Sequence, residues 1–174
     1  MYFYAFLVIV LVILAFVFWQ WALVEYNFNV KYGGKDAKGE LTVVQTANSP
    51  HIKFTNAKPD AYYTVIIDDP DAPSPKNPDT GTWRHMVVSD ILGNKLKSMI
   101  KNIEGAGRIL TPYAGPNPPQ YSGPHRYHVR LLEQQAVLIT PKIPQDRRNW
   151  DIDSFITDHK LTTVAEKRFT VEKK

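Results

Sequence analysis

The sequence predicts a mainly β domain, a sandwich with one short helix, that follows an apolar N-terminal segment. Three observations lead to this fold class. Apolar and polar residues alternate with period two through most of the chain after residue 25. Glycine and proline separate the alternating runs, as expected for turns. The chain of 174 residues contains no cysteine, which excludes a disulfide scaffold, cysteine-ligated zinc and a thiol nucleophile.

The N-terminal segment, residues 2–24, reads YFYAFLVIVLVILAFVFWQWALV, and Gln20 is its one clearly polar residue. A bilayer core of about 30 Å needs about 20 apolar residues in a helix, so the segment is long enough to cross it. Aromatic residues at both of its ends resemble the interface belts of membrane helices. We therefore predict a transmembrane anchor over residues 1–24 and a separate domain over residues 25–174.

A cleaved secretory signal is the alternative for this segment. Such signals have a basic start, a shorter apolar core and a small-residue cleavage site, and the sequence shows none of these. The first charged residues after the segment are Glu25, Lys31, Lys35, Asp36 and Lys38. Their slight basic excess favours a single-pass membrane protein whose domain lies in the cytoplasm.

The alternating runs predict the strands in chain order, at residues 26–32, 40–45, 51–54, 61–67, 83–89, 126–133, 136–141 and 162–171. Gly33 and Gly34 follow the first run and predict a hairpin turn. Residues 152–159 carry the one convincing helical pattern, with Asp151 or Asp153 available as the N-cap. Many short strands with a single helix are typical of a β-sandwich.

Nine of the 13 prolines fall in two segments. The first segment holds Pro70, Pro73, Pro75 and Pro78, and the second holds Pro112, Pro116, Pro118, Pro119 and Pro124. Proline cannot donate to a sheet ladder, so both segments are predicted to be stiffened loops. Such loops suit a binding site because they hold side chains in place; the alternative is that they are merely long connections.

Three polar residues flank these loops at the ends of predicted strands. Asp69 ends one strand, whereas His85 and His125 begin two others. Side-chain alternation places each of them on the same face as the apolar residues of its own strand. If the first strand runs antiparallel to the other two, all three side chains meet at one end of the sheet.

The residues around the loops resemble the phosphatidylethanolamine-binding protein family, which includes the Raf kinase inhibitor proteins and the plant flowering regulators. The matching motifs are DPDAPS at 69–74, WRH at 83–85, and YAGPNPP with GPHRY within 113–127. Their order and spacing match, and weaker similarity extends over about residues 28–171. The resemblance implies a large antiparallel sheet, a smaller sheet and an anion pocket at one end.

The resemblance also implies which residues form the pocket: Asp69, Asp71, Pro73, Trp83, His85, Pro118, Pro119, His125 and Tyr127. In the family this pocket takes phosphate-type headgroups such as phosphorylethanolamine. The chemistry agrees, because imidazoles can donate hydrogen bonds to phosphate oxygens. A carboxylate can orient a histidine or meet an ammonium group. We expect no catalytic residue, no metal and no cofactor.

Other interpretations of these residues stay open. Asp69, His85 and His125 could ligate a metal as a two-histidine, one-carboxylate site. Asp69 and His85 could be an acid–base pair for hydrolysis, although no nucleophile motif accompanies them. Asp71 and Arg126 are interpreted as a buried ion pair that braces the loops. His51, His128 and His159 are interpreted as ordinary histidines.

The expected function is that of a regulatory, non-enzymatic protein at a membrane that binds phospholipid headgroups or phosphate-type anions. A kinase, a protease or another signalling protein is the expected protein partner. The alternative function is inhibition of a kinase or serine protease through the pocket loops. Nucleic acid is not an expected partner, because the basic residues near the C-terminus lack local density and interleaved aromatic residues.

Overall fold

The structure, a computed structural model, describes residues 12–13, 27–79 and 81–174. Within these residues the chain forms nine strands and two short helices. The strands are β1 (Phe28–Tyr32), β2 (Lys35–Asp36), β3 (Glu40–Leu41), β4 (His51–Phe54), β5 (Tyr62–Asp69), β6 (Trp83–Leu92), β7 (Arg108–Thr111), β8 (His125–Gln134) and β9 (Thr162–Val171). The helices are α1 (Gly93–Leu96) and α2 (Ile152–Asp158).

The strands form two sheets. The smaller has the order β2-β1-β4, and the larger has the order β3-β9-β8-β5-β6-β7. Neighbouring strands are antiparallel except β3 and β9, which pair in parallel over two residues. A large, mainly antiparallel sheet and a smaller sheet are therefore present, as the resemblance implied.

Each face of the large sheet is covered by a different apolar cluster. The main core joins its inner face to the small sheet and includes Val30, Val65 and Tyr127. The second cluster covers the outer face, where Ile66 and Leu132 pack with Phe155 of α2. Because successive side chains of a strand point to opposite faces, adjacent residues of β5 and β8 enter different environments.

Two local predictions are confirmed. Gly33 and Gly34 connect β1 to β2, with Tyr32 opposite Lys35, and both glycines have positive φ of 53° and 90°. Two positive φ angles in a two-residue turn favour glycine, since it has no Cβ to clash. At the start of α2, the Asp151 side chain accepts a hydrogen bond from the Ser154 amide at 2.9 Å and caps the helix.

Three strand predictions are wrong or incomplete. Residues 136–141 form no strand, and the alternating Val137 and Ile139 are exposed rather than directed into a core. After Leu41 the chain turns, because Thr42 and Gln45 exchange hydrogen bonds between side chain and backbone. The edge strand β7 was not predicted, because its residues do not alternate: Arg108 and Ile109 are both exposed and Thr111 is the one buried residue of the four.

The fold class also needs a correction at the N-terminus. Of the predicted transmembrane anchor, residues 1–24, the structure describes Val12 and Ile13, and the remainder lies outside the described residues. In the part that is described, no helix is long and apolar enough to cross a membrane. The longer helix, α2, has seven residues and extends about 10 Å, against the roughly 30 Å of a bilayer core. The predicted transmembrane helix and single-pass membrane localisation are corrected accordingly.

Candidate ligand-binding site

The register of the large sheet brings three strand ends together. β5 is antiparallel to both β6 and β8, so the end of β5 meets the starts of the other two strands. Asp69 lies opposite Trp83, and its Oδ2 is 2.8 Å from Nδ1 of His125. The prediction that Asp69, His85 and His125 meet at one end of the sheet is confirmed.

These strand ends and the two proline-rich loops enclose a cavity of about 360 Å³. Eight of the nine predicted pocket residues line it: Asp69, Pro73, Trp83, His85, Pro118, Pro119, His125 and Tyr127. The other lining residues are Ala72, Asp79, Ala114, Gly115, Asn117 and Arg148. Asp71, the ninth predicted residue, does not line the cavity.

His125 is held by the protein through both ring nitrogens. Its side chain and that of Asp69 are 1% and 4% exposed, and Nδ1 faces the carboxylate. Nε2 lies 3.0 Å from the Ser122 hydroxyl, which donates its own hydrogen to the Pro119 carbonyl at 2.7 Å. Because that hydroxyl hydrogen is already used, Nε2 donates to Ser122. Both ring nitrogens are therefore engaged within the protein, Nδ1 by Asp69 and Nε2 by Ser122.

His85 presents the opposite hydrogen-bonding character. Its Nδ1 is 2.6 Å from the Ala114 carbonyl, which can only accept, so Nδ1 carries the hydrogen. Nε2 has no hydrogen-bond partner among the described residues and is left for the cavity. Burial lowers the pKa of His85, and the Ala114 carbonyl and Asp69 offset this in part. At neutral pH the free nitrogen therefore accepts a hydrogen bond, whereas the sequence suggested two donating imidazoles.

Aromatic rings fix the walls of the cavity. Tyr127 stacks on Phe169 with ring centroids 5.3 Å apart, and His85 meets Tyr127 edge-on at 5.2 Å. The Trp83 ring lies 6.4 Å from that of His85. Burial, and secondarily the Asp69 carboxylate, raises the pKa of Tyr127, so its hydroxyl stays protonated and able to donate.

Asp71 braces the loops instead of facing the cavity. Its carboxylate accepts hydrogen bonds from Nε and Nη2 of Arg126 at 2.9 and 2.6 Å, and from the Arg126 amide at 2.8 Å. Burial alone would raise the pKa of Asp71, but the hydrogen bonds from Arg126 outweigh it and the pKa lies below its ordinary value. The two residues form the ion pair that was predicted, but it is buried on the Asp71 side alone, because the Arg126 side chain is 61% exposed.

Sequence reasoning missed five lining residues beyond Ala72. Ala114, Gly115 and Asn117 lie inside the quoted motif YAGPNPP and could have been found from it. A Cβ on Gly115 would lie 2.8 Å from the Thr46 carbonyl, so glycine permits a close backbone approach there. Asp79 and Arg148 lie in loops outside the motifs, so no sequence pattern identifies them as lining residues.

The metal alternative finds no support in the geometry of the described residues. Within ranges 12–13, 27–79 and 81–174, no group of three or more His, Cys, Asp or Glu side chains is arranged to hold a metal ion. Asp69 and His125 bind each other, and the Nδ1 of His85 is occupied by a backbone carbonyl.

Comparison with known proteins agrees with the fold and the motifs. Residues 21–169 match the sequence profile of the phosphatidylethanolamine-binding proteins. A carboxypeptidase Y inhibitor, solved in complex with its cognate proteinase, is 25% identical, with coverage of 84% of this chain and 83% of the inhibitor and a TM-score of 0.70. A phosphatidylethanolamine-binding protein from Plasmodium vivax is 23% identical, with 84% and 85% coverage and a TM-score of 0.72.

The profile match spans most of the chain, and the same sandwich recurs in these solved structures. The chain therefore belongs to the phosphatidylethanolamine-binding protein family. The family includes ligand-binding proteins and a protease inhibitor.

Proposed function

We propose that the cavity binds small phosphate-type and zwitterionic headgroups, such as phosphorylethanolamine, and that binding involves no turnover. The observation that supports this most directly is the meeting of the hydrogen-bonded Asp69 and His125 side chains with the unengaged Nε2 of His85 in one cavity of about 360 Å³. Groups of both charge signs and an unpaired acceptor at one site suit a ligand that itself carries both signs.

The protonation state of His85 defines the kind of ligand group that fits beside it. A free Nε2 lone pair needs a hydrogen donor, which a monoprotonated phosphate or an ammonium group supplies and a fully ionised phosphate does not. Tyr127 can donate its one hydroxyl hydrogen either to Asp69 or to an oxygen atom of the same ligand. The site therefore favours phosphomonoesters that retain a proton or carry an amine.

The proposed absence of turnover is supported by the hydrogen bonds of Ser122. Its hydroxyl is close to Nε2 of His125, and Nδ1 of the same ring contacts Asp69. This arrangement of Ser, His and Asp resembles a nucleophile with its base and orienting carboxylate. However, the hydroxyl donates to Pro119, and Ser122 is not among the residues that line the cavity. In this arrangement His125 has no lone pair at Nε2 with which to take a proton.

Isothermal titration calorimetry of the full-length chain tests the binding proposal. We expect phosphorylethanolamine to bind saturably and ethanolamine, which lacks the phosphate, to bind at least about tenfold more weakly. His85→Ala should weaken phosphorylethanolamine binding, while the control His51→Ala, in β4 and outside the cavity lining, should leave it unchanged. Equal affinity for phosphorylethanolamine in wild type and His85→Ala would overturn the proposal.

Inhibition of a serine protease is the second candidate, and a specific feature of the rim favours it. Tyr121 is 80% exposed and has a positive φ of 60°, an unusual conformation for a bulky residue. Its loop is fixed to the first proline-rich loop by a hydrogen bond from Ser74 Oγ to the Ser122 carbonyl at 3.4 Å. An exposed aromatic side chain on a fixed loop suits a protein contact.

An inhibition assay separates this candidate from headgroup binding. Full-length protein should slow a serine protease, and Tyr121→Ser should relieve that inhibition without changing the affinity for phosphorylethanolamine. Inhibition that is identical in both proteins would show that this rim does not make the contact.

A further inference from the structure

Residues 147–150, which precede α2, reach the mouth of the cavity by pairing with the start of β6. Thr82 and Trp150 exchange backbone hydrogen bonds of 3.1 and 3.0 Å, and the Arg84 amide donates to the Arg147 carbonyl at 2.9 Å. A Cβ on Gly81 would lie 2.6 Å from the Asn149 carbonyl carbon, so the two backbones touch. Residues 147–150 are thereby fixed beside the strand that carries His85.

Two successive arginines on this segment differ in what they contact. The Arg147 guanidinium donates to three backbone carbonyls, those of Arg84, His85 and Pro112, and so ties the segment to β6. Arg148 instead lines the cavity, with its side chain 62% exposed.

Arg148 is oriented by a carboxylate on its own loop. Its Nη2 donates to Asp146 Oδ2 at 2.8 Å, and Nε also faces that carboxylate. The hydrogen bonds from Arg148 lower the pKa of Asp146 to about 2, so this contact persists at any pH used for binding. Nη1 makes no hydrogen bond within the described residues and stays available to an anion.

The other charges that line the cavity leave distinct positions for an anion and for a cation. Among the described lining residues, Arg148 is the one Lys or Arg. Asp69 is occupied by His125. The backbone amide of Asp79 donates a hydrogen bond to the Ala72 carbonyl at 2.8 Å. Its carboxylate forms no ion pair within 4 Å in the described part of the chain, but its charge contributes, after that of Asp146, to the raised pKa of Arg148.

We infer that these two loop residues select ligands by charge: Arg148 binds the phosphate of the ligand, and Asp79 binds its ammonium group. This inference rests on the proposed headgroup function and assigns its specificity to residues outside the recognisable motifs. The cavity then prefers a zwitterionic phosphoester to inorganic phosphate, since inorganic phosphate engages Arg148 alone. Both contacts are hydrogen-bonded ion pairs, so both weaken as salt is added.

Calorimetric titration of the full-length chain with inorganic phosphate and with phosphorylethanolamine tests the inference. Arg148→Gln should weaken the binding of both probes about tenfold or more, the loss expected for a charge-assisted hydrogen bond. Arg168→Gln is the matched control, because Arg168 is 68% exposed and also pairs with an acidic residue two positions earlier, Glu166, but does not line the cavity. It should bind both probes as the wild type does.

Asp79→Asn should weaken phosphorylethanolamine binding severalfold and leave inorganic phosphate binding equal or stronger. Asp36→Asn, on the exposed β1–β2 hairpin, is its control and should change neither affinity.

The outcomes separate this inference from the proposed function. If wild type binds phosphorylethanolamine and His85→Ala does not, but Arg148→Gln binds like wild type, the charge selection is overturned and the headgroup site stands. If Asp79→Asn changes the affinity for both probes equally, the ammonium assignment is overturned. If wild type binds neither probe, both the inference and the proposed function are overturned.

Discussion

The two faces of the large sheet use the same residue types for opposite purposes. Asp69 and His125 point to the inner face at the cavity, where they are joined at 2.8 Å. Their chain neighbours Asp68 and Arg126 belong to the outer face, as does His128, which lies opposite Asp68 in the ladder. A shift of one residue along a strand thus separates a ligand cavity from a closed cluster.

The cluster on the outer face is formed by Asp68, His128, Arg130 and Glu166. Arg130 Nε donates to Asp68 Oδ1 at 2.9 Å, and its Nη2 donates to Nδ1 of His128 at 2.7 Å. Asp68 is 0% exposed, and both its Oδ2 and Nε2 of His128 are buried without a hydrogen-bond partner. Burial raises the pKa of Asp68 to about 6 and, aided by Arg130, lowers that of His128 to about 4.

The difference between the faces lies in what covers them. On the outer face, the side chain of Arg130 reaches from β8 to the neighbouring strand β5 and contacts Asp68. On the inner face, stiff proline-rich loops stand off from the strand ends and leave a cavity. We therefore expect changes in the outer cluster to alter stability and changes in the cavity to alter binding.

Asp68→Ala should give the largest effect. Removing the carboxylate leaves the largely buried Arg130 without its closest acidic partner, which should lower the free energy of unfolding by about 3 kcal/mol. Asp36→Ala, which breaks the exposed Lys31–Asp36 pair, should cost at most about 1 kcal/mol in the same urea titration. Folded Asp68→Ala should still bind phosphorylethanolamine as wild type does; lost binding in folded protein would contradict the separation of the two faces.

His85→Ala should show the reverse pattern. It removes the free acceptor of the cavity, so phosphorylethanolamine affinity should fall about tenfold or more. His85→Gln is a second variant that keeps a polar side chain of similar size. A large loss of stability with unchanged affinity in either variant would show that His85 stabilises the fold and does not bind the ligand.

The pH dependence of stability tests the outer cluster. Folded His128 titrates near pH 4 and an unfolded histidine near 6.5, so the unfolded state binds more protons in that window and stability is lost as pH falls. The variant His128→Gln lacks this loss. Relative to wild type, its free energy of unfolding should therefore increase by about 1–2 kcal/mol as the pH falls from 6.5 to 4.

Asp68 contributes with the opposite sign. Its folded pKa of about 6 exceeds the ordinary value near 4, so its ionisation removes stability as pH rises through this range. Asp68→Asn should therefore gain stability relative to wild type as pH rises from about 4 to 6. Parallel profiles for wild type and both variants would contradict the assigned protonation states.

Ser122→Ala should give the smallest effect. It removes the hydroxyl that accepts from His125 Nε2, at a cost of about 1 kcal/mol in stability and no more than a severalfold change in headgroup affinity. Ester hydrolysis by wild type that disappears in Ser122→Ala would contradict the proposal that the site performs no turnover.

The strand ends of the site could be predicted because alternation is a local property of the chain. Side-chain alternation alone placed Asp69, His85 and His125 on one face. The antiparallel pairing of β5 with β6 and β8 then brings them to the same end of the sheet. Arg148 and Asp79 could not be found this way. The position of Arg148 depends on the long-range pairing of Thr82 with Trp150, and loop residues carry no period.

The same local reasoning placed His128 on the opposite face correctly but interpreted it as an ordinary histidine. Its burial depends on Arg130, Asp68 and Glu166 from three strands. Sequence patterns do not show which long polar side chains meet across a sheet. The strand prediction for residues 136–141 is wrong for a related reason, because alternation of apolar residues does not show whether a partner strand exists.

The central claim is that the inner face, through His85, binds a phosphate-type headgroup. The most direct measurement is a proton–nitrogen NMR titration of the histidine rings in full-length protein with phosphorylethanolamine. We predict that the ring nitrogens of His85 shift saturably, with a smaller shift at His125, while the ring of His128 on the outer face does not move. Unchanged His85 signals at millimolar phosphorylethanolamine would contradict the account.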